Sequence, residues 1–369
     1  MEIGILTSSR ADYGFYRPLI KKLNQVENIN AGFIVFGTHL SMKHGYTIKQ
    51  IKNDGYKIFK KIKTNLNGDL PKDISETIGL VHQQFANYWA TSKVQLIICL
   101  GDRYEMYAAV SASVPFNITV IHISGGEETL GTTDNYFRHA LTLMAKYHFT
   151  NTKKNAERVA QIINSKKNIF HTGSLSIDNI NETRLISITD FQSKFKFDIS
   201  SPFILFTFHP ETVDYKKNKE YSKIIFNVLV KQKTNILVTM PNADTMGQTI
   251  RDGLHLAANR SKNIHLLESL GSAGYYTALK YCDFVMGNSS SGIVEAASFG
   301  KYVLNMGSRQ KGREQGENVI NVDMNEKDIL NQISKIYIQR SKSRRFQNIY
   351  GDGKAAINML KVISNIKVE

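Results

Sequence analysis

A chain of 369 residues is longer than one ordinary hydrophobic core, so two domains are expected, and a 42% hydrophobic fraction with 6 prolines excludes a disordered polymer. The net charge of +15 comes from basic residues scattered over 57–63, 153–167, 216–233 and 340–345 among helical apolar positions. That is the pattern of solvated faces; it argues against a nucleic-acid partner and for an anionic small substrate. No apolar run approaches the ~20 residues that span a bilayer, and no secretory pattern opens the chain. Cys99 and Cys282 sit in or beside apolar runs without metal-ligand spacing, so a cytoplasmic protein with no membrane partner, no metal and no cofactor is expected.

Residues 2–7 (EIGILT) predict a strand, followed by the turn Ser8-Ser9-Arg10-Ala11-Asp12-Tyr13-Gly14 and an amphipathic helix over about 18–24. Strand, small-residue turn and helix present backbone N–H groups to a phosphate. The glycine spacings of a dinucleotide fingerprint and of a P-loop are both missing, so neither NAD nor ATP is indicated. Arg10 reads either as a phosphate or sugar ligand or as a surface turn residue. A second strand over 31–36 leads to Gly37-Thr38-His39-Leu40, where His39 is either a ligand or a hydrogen-bonded turn residue.

The densest chemistry lies over 100–150. An apolar strand over 94–100 stops at Gly101-Asp102-Arg103, and another over 118–123 stops at Ser124-Gly125-Gly126-Glu127-Glu128. Asp134 then opens a helical pattern with Phe137, Leu141 and Met144 at i, i+4 and i+7. Asp134 and Arg138, four apart, share a helix face. Acids past the carboxyl ends of parallel strands stand where open α/β sheets bind ligands. Asp102 and Asp134 are the leading acid–base candidates, with Glu127 or Glu128 as a partner. His122, inside its strand, reads as a core residue, and His139 stays open between core and site.

A strand over 169–174 closes the first half, and the mixed polar stretch 176–201 reads as a linker between a domain over 1–175 and one over 202–353. In the second half a strand (FILFTF) ends at His209-Pro210-Glu211, where His209 either orients or protonates a leaving phosphate or is a turn residue. A strand over 236–240 ends at Pro241-Asn242, making Asn242 a candidate nucleotide ligand. Strand residues 284–286 meet Gly287-Asn288-Ser289-Ser290-Ser291-Gly292 ahead of a helix that carries Glu295. Freed N–H groups, the helix dipole and the hydroxyls of Ser289 and Ser290 suit a diphosphate, with Glu295 a turn further on for ribose hydroxyls. Arg309 and Arg313 bracket a glycine-rich loop, where one covers a phosphate and the other is structural. A helix over 354–363 is expected to return to the first domain. The architecture is two doubly wound parallel-sheet, Rossmann-like α/β domains facing a cleft.

Six strings carry a family likeness: Ser8 to Tyr13, Gly101-Asp102-Arg103, His122 to Glu127, Asp134 to His139, Gly287 to Gly292, and GSRQKGREQGEN over 307–318. In this order they resemble the UDP-N-acetylglucosamine 2-epimerases, most of all the hydrolysing branch of sialic and legionaminic acid synthesis. The resemblance implies a GT-B-like fold with nucleotide held mainly by the second half, and a reaction: UDP-N-acetylglucosamine and water give N-acetylmannosamine and UDP. It implies catalytic roles for Asp102, Asp134, Arg138 and His209, and nucleotide contacts for Arg10, Ser290, Glu295 and Arg309. Where the family carries a glutamate this chain has Ser124, which leaves Glu127 or Glu128 to supply the missing carboxylate. Leu130 makes the following loop one residue longer, a change that would also suit a 2,4-diacetamido-2,4,6-trideoxy sugar on UDP or GDP. The expected assembly is a homo-oligomer, dimer or tetramer.

Overall fold

The computed structural model describes residues 1–42, 45–64, 68, 70–130, 133–211, 215–241, 247–339 and 345–367. The chain divides into two units: Met1–Glu127 with Asp134–Asn179 and Tyr350–Glu369, and Glu128–Thr133 with Ile180–Ile349.

The first unit runs β1 (Glu2–Thr7), α1 (Arg10–Leu23), β2 (Asn30–Val35), α2 (Ile48–Asn53), β3 (Ile58–Lys61), α3 (Pro71–Trp89), β4 (Leu96–Leu100), α4 (Tyr104–Ser111), β5 (Thr119–Ile123), α5 (Asp134–Met144), β6 (Tyr147–Thr150), α6 (Lys153–Ile162) and β7 (Ile169–His171). Its strands pair in parallel in the order β3-β2-β1-β4-β5-β6-β7. The inner strands β1 and β4 read as nearly unbroken apolar runs because both faces are covered, whereas the edge strands β3 and β7 are partly exposed. Leu96 and Ile98 of β4 face one core with Tyr13 and Leu19 of α1, while Ile97 and Cys99 face another with Phe85 and Trp89 of α3.

Helix α1 begins at Arg10, eight residues before the expected start. Asp12 explains it: its carboxylate accepts from Ser8 N at 2.7 Å, Ser9 N at 2.8 Å and Ser9 Oγ at 2.6 Å, which caps the first turn directly after β1. Pro18, which resembles a helix start in sequence, lies inside the helix. It cannot donate to the Gly14 carbonyl one turn back, and Asn179 Nδ2 fills that place at 2.9 Å.

The stretch 176–201 holds two helices, α7 (Leu175–Glu182) and α8 (Ile188–Phe195), so the chain passes between the units within α7. Eight residues are too few to show a helical period in sequence. Phe191 of α8 is buried with Phe197, Ile199 and Phe203 in the core of the second unit.

That unit continues through β8 (Phe203–Thr207), α9 (Asn218–Val230), β9 (Asn235–Thr239), α10 (Gly247–Arg260), β10 (Ile264–Leu267), α11 (Gly271–Tyr281), β11 (Phe284–Gly287), α12 (Ser290–Val294), β12 (Val303–Met306), β13 (Val319–Val322) and α13 (Glu326–Gln339). Its parallel sheet has the order β10-β9-β8-β11-β12-β13. Helix α14 (Ala355–Ile363) belongs to the first unit. Its first N–H groups, on Ala355 and Ala356, donate to the Asp178 carboxylate at 3.0 and 2.9 Å, and Ala356, Met359 and Ile363 are buried beside α1. Among the described residues no helix is long and apolar enough to cross a membrane.

Candidate active site

Both sheets reverse their winding at one place, between β1 and β4 in the first and between β8 and β11 in the second. Such switch points leave a crevice beyond the carboxyl ends of the strands. The candidate residues gather at these two ends.

In the first unit Asp102 follows β4, Glu127 follows β5, and Arg138 projects from α5. The Arg138 guanidinium, 1% exposed, is ion-paired with the Asp102 carboxylate. Its Nη1 also donates to the Glu127 carbonyl at 3.0 Å and to Asn135 Oδ1 at 2.9 Å. One planar fork thus ties the ends of two strands to one helix. Asp134, half-buried, is the first residue of that helix, one turn before Arg138. Glu127 is 6% exposed, and its Oε1 accepts from Asn151 Nδ2 at 2.5 Å.

The backbone here is sharply bent. Gly101, Ser124 and Gly126 all have positive φ, and a Cβ on Gly126 would lie 2.2 Å from the Asn155 carbonyl. His122 is fully buried beneath the turn, with Nε2 2.8 Å from the Gly101 carbonyl. A carbonyl only accepts, so Nε2 carries the proton and the ring supports the residue before Asp102. Burial pushes His122 down to about 4, opposed by that carbonyl bond, and burial also takes His148 on the neighbouring strand down to about 4. The expectation of His122 as a core residue agrees with this geometry.

Arg10 is exposed at the first residue of α1, just past β1. His39 is fully buried, with Nε2 2.9 Å from Thr7 Oγ1 and Nδ1 2.8 Å from Thr47 Oγ1. Both ring nitrogens are occupied within the fold, so His39 braces the end of β1 and presents no ring nitrogen to a ligand. Desolvation lowers its pKa, in keeping with a neutral ring.

In the second unit the organising residue is Asn288, fully buried, which sequence reasoning passed over. Its Oδ1 accepts from His209 N at 2.7 Å and its Nδ2 donates to the His209 carbonyl at 2.8 Å. The side chain thereby stands in for a strand partner where β8 and β11 part. Gln310 Nε2 donates to the Asn288 carbonyl at 2.8 Å, and Arg309 Nη1 to the Pro210 carbonyl at 2.8 Å. The glycine-rich loop is so fastened to the His209 segment. Glu211, 2% exposed, accepts from Ser308 Oγ at 3.4 Å; burial raises its pKa, while Arg309 opposes the shift. Gly287 has a φ of +129°, and a Cβ there would sit 1.9 Å from the Thr207 carbonyl, so only glycine lets the two strands end side by side.

Ser289 caps α12, and Ser290, exposed, is its first residue. The helix is shorter than expected: five residues, followed by a 3-10 turn over Ala296–Phe299. A dipole of that length is small, so the diphosphate contacts expected here would fall to N–H groups and hydroxyls. Glu295 is 7% exposed and accepts from Tyr276 Oη at 3.4 Å and from Ser291 Oγ. Arg313, half-buried, donates its N–H to the Gln310 carbonyl at 3.1 Å. Leu130 N, in the loop expected to be longer, donates to the Lys311 carbonyl at 3.0 Å. Asn242 lies outside the described residues.

Comparison with known proteins gives the same direction. A model of the family described as UDP-N-acetylglucosamine 2-epimerase matches residues 21–364. The chain is 31% identical over 361 residues to the UDP-N,N'-diacetylbacillosamine 2-epimerase (hydrolyzing) of Legionella pneumophila, covering 98% of this chain and 95% of that protein. It is 30% identical over 364 residues to the polysialic acid biosynthesis protein P7 of Escherichia coli, covering 98% and 93%. Among solved structures it resembles the UDP-GlcNAc 2-epimerase of Neisseria meningitidis bound to UDP-GlcNAc, with a TM-score of 0.84, 16% identity and coverage of 99% and 100%. At that identity the likeness establishes the fold, a GT-B-like pair of Rossmann-like units.

Proposed function

This chain belongs to the UDP-N-acetylglucosamine 2-epimerase family, and we propose that it is a hydrolysing member, taking a UDP-linked 2-acetamido sugar and water to UDP and the free sugar inverted at C2. The observation that carries the reading is the buried Arg138 guanidinium, bound to the Asp102 carboxylate and to the Glu127 carbonyl at 3.0 Å.

The chemistry asks for such a set. The C2 proton of the sugar is not acidic until the bond from C1 to the diphosphate begins to break. Departure of the diphosphate gives C1 oxocarbenium character and makes the neighbouring proton removable. Donors around the diphosphate stabilise charge that develops in the transition state; these are Ser289, Ser290, Arg309 or Arg313, and Arg10. His209 orients or protonates the departing phosphate, and Glu295 takes the ribose hydroxyls. Loss of the C2 proton and of UDP leaves a 2-acetamidoglucal. Addition of a hydroxyl at C1 and of a proton at C2 from the opposite face completes the inversion. Asp102, Asp134 and Glu127 are the carboxylates for these transfers, Glu127 standing in for the family glutamate replaced by Ser124. The proton transfers themselves call on no cofactor.

The substrate expected from the family likeness is UDP-N-acetylglucosamine, giving N-acetylmannosamine. A second reading, UDP-N,N'-diacetylbacillosamine, is favoured by the 31% identity to the Legionella pneumophila protein of that name. Incubation with each sugar nucleotide in D2O separates the outcomes. Equimolar UDP and free 2-epimerised sugar carrying deuterium at C2 is the expected result. A UDP-linked epimer without UDP release would mark a non-hydrolysing epimerase, and UDP release only with an added acceptor would mark a glycosyltransferase. The setting that goes with this activity is the cytoplasm, and the assembly a homo-oligomer measurable by light scattering.

A further inference from the structure

The end of β6 contributes a residue that none of the roles above uses. Asn151 directly follows that strand, is 4% exposed, and turns its side chain toward the Ser124–Glu127 bend. Its Nδ2 donates to Glu127 Oε1 at 2.5 Å and to Ser124 Oγ at 3.1 Å. Its Oδ1 is buried with no hydrogen-bond partner. Ser124 has a φ of +67°, a conformation unfavourable for a residue with a Cβ, and its hydroxyl lies at Asn151.

Resting on the hydrolysing-epimerase reading, we propose that Asn151 is the positioning residue of Glu127, holding that carboxylate in place through both of its protonation states. With Glu127 ionised, the amide N–H donates to it. Once Glu127 takes a proton, the carboxyl needs an acceptor, and rotation of the Asn151 amide by half a turn about χ2 brings Oδ1 to face it. The Ser124 hydroxyl serves both orientations, because it accepts from Nδ2 in one and donates to Oδ1 in the other. An unpartnered carbonyl oxygen next to an acid–base carboxylate is thus the second half of a two-position device. Arg138 donates to the Glu127 carbonyl and Arg158 to the Gly126 carbonyl at 2.8 Å. Asp102 lies across the Arg138 guanidinium, Glu128 follows in the chain, and His122 and His148 are buried in the strands that lead to the bend.

The test uses the full chain with UDP-N-acetylglucosamine and UDP-N,N'-diacetylbacillosamine, following UDP release. Asn151→Ala should lower kcat by about tenfold or more, with KM within about twofold. Because the amide is bonded directly to the carboxylate, its removal should also displace the acidic limb of the kcat profile. Asn151→Asp keeps the shape but sets a like charge beside Glu127 and should move the limb further, which decides the matter if the alanine variant does not fold. In a Glu127→Gln background the Asn151→Ala change should add nothing to the loss of kcat. Wild-type kcat and an unmoved limb in either folded variant would overturn the proposal, as would an additive loss. A wild-type chain inert toward both sugar nucleotides would defeat the hydrolysing reading alone. Carbon-13 NMR of labelled Glu127 then still judges Asn151, whose removal must change the Glu127 carboxyl signal.

Discussion

Arg138 and Asp102, thirty-six positions apart, form an ion pair in which the guanidinium is 2% exposed and the carboxylate 26%. The carboxylate therefore rests against a fixed cation and is partly open, which suits the acid–base role proposed for it. Asp102→Asn keeps the shape and an accepting oxygen. It should reduce turnover by on the order of a hundredfold or more while leaving the UDP dissociation constant within about twofold. Isothermal titration with UDP beside a UDP-release assay checks both halves, and full activity in the variant would remove Asp102 from the mechanism.

Asn288 yields a prediction of another kind, since both of its side-chain bonds go to the backbone of His209. Asn288→Ala removes two bonds to part-buried backbone groups and should destabilise the second unit by about 1–2 kcal/mol. Asn288→Asp keeps the bond from His209 N but sets a carboxylate against the His209 carbonyl, and should recover less than half of the loss. Urea midpoints for the three proteins test this, with UDP release reporting whether the His209 segment has moved.

Much of this architecture can be read without coordinates. The apolar runs that end abruptly at Gly101-Asp102 and at Gly287-Asn288 are β4 and β11, because strands buried on both faces carry no polar alternation. The start of α1 cannot be read in the same way, since Pro18 imitates a helix start while the capping carboxylate of Asp12 stands among small turn residues. Position is legible where residue type and strand end suffice, as for Asp102 just past β4 and for Asp134 and Arg138 on α5. Long-range partners escape: the roles of His39 depend on Thr7 and Thr47, thirty-two and eight residues away. Asn151 and Asn288 escape too, because an asparagine after a strand is the usual sign of a turn. Only the fold reveals that each turns inward.

Ser290 tests the nucleotide side. It is exposed at the first position of a five-residue helix, so its hydroxyl is spare for a ligand and its loss disturbs little packing. Ser290→Ala should weaken UDP binding by about 1 kcal/mol, the worth of one hydrogen bond, or about fivefold in Kd, with the melting temperature unchanged. An unchanged Kd would move the diphosphate away from this turn.

The paired strands β5 and β6 carry the last prediction, which concerns acid stability. His122 and His148 stand opposite one another in register, are 0% and 1% exposed, and are both held near 4 by burial. In the unfolded chain each titrates near its ordinary value of about 6.5. Between those values the unfolded state binds the additional protons, so stability is fully present above about pH 6.5 and falls as pH drops toward 4. For His148 the loss between pH 7.5 and pH 5 is on the order of 2 kcal/mol. Its Nδ1 is buried without a partner, so His148→Leu removes a group that contributes no hydrogen bond through that atom. The variant should match the wild type at pH 7.5 and exceed it at pH 5, flattening the dependence of the urea midpoint on pH. A wild-type slope retained in the leucine variant would place the acid sensitivity elsewhere.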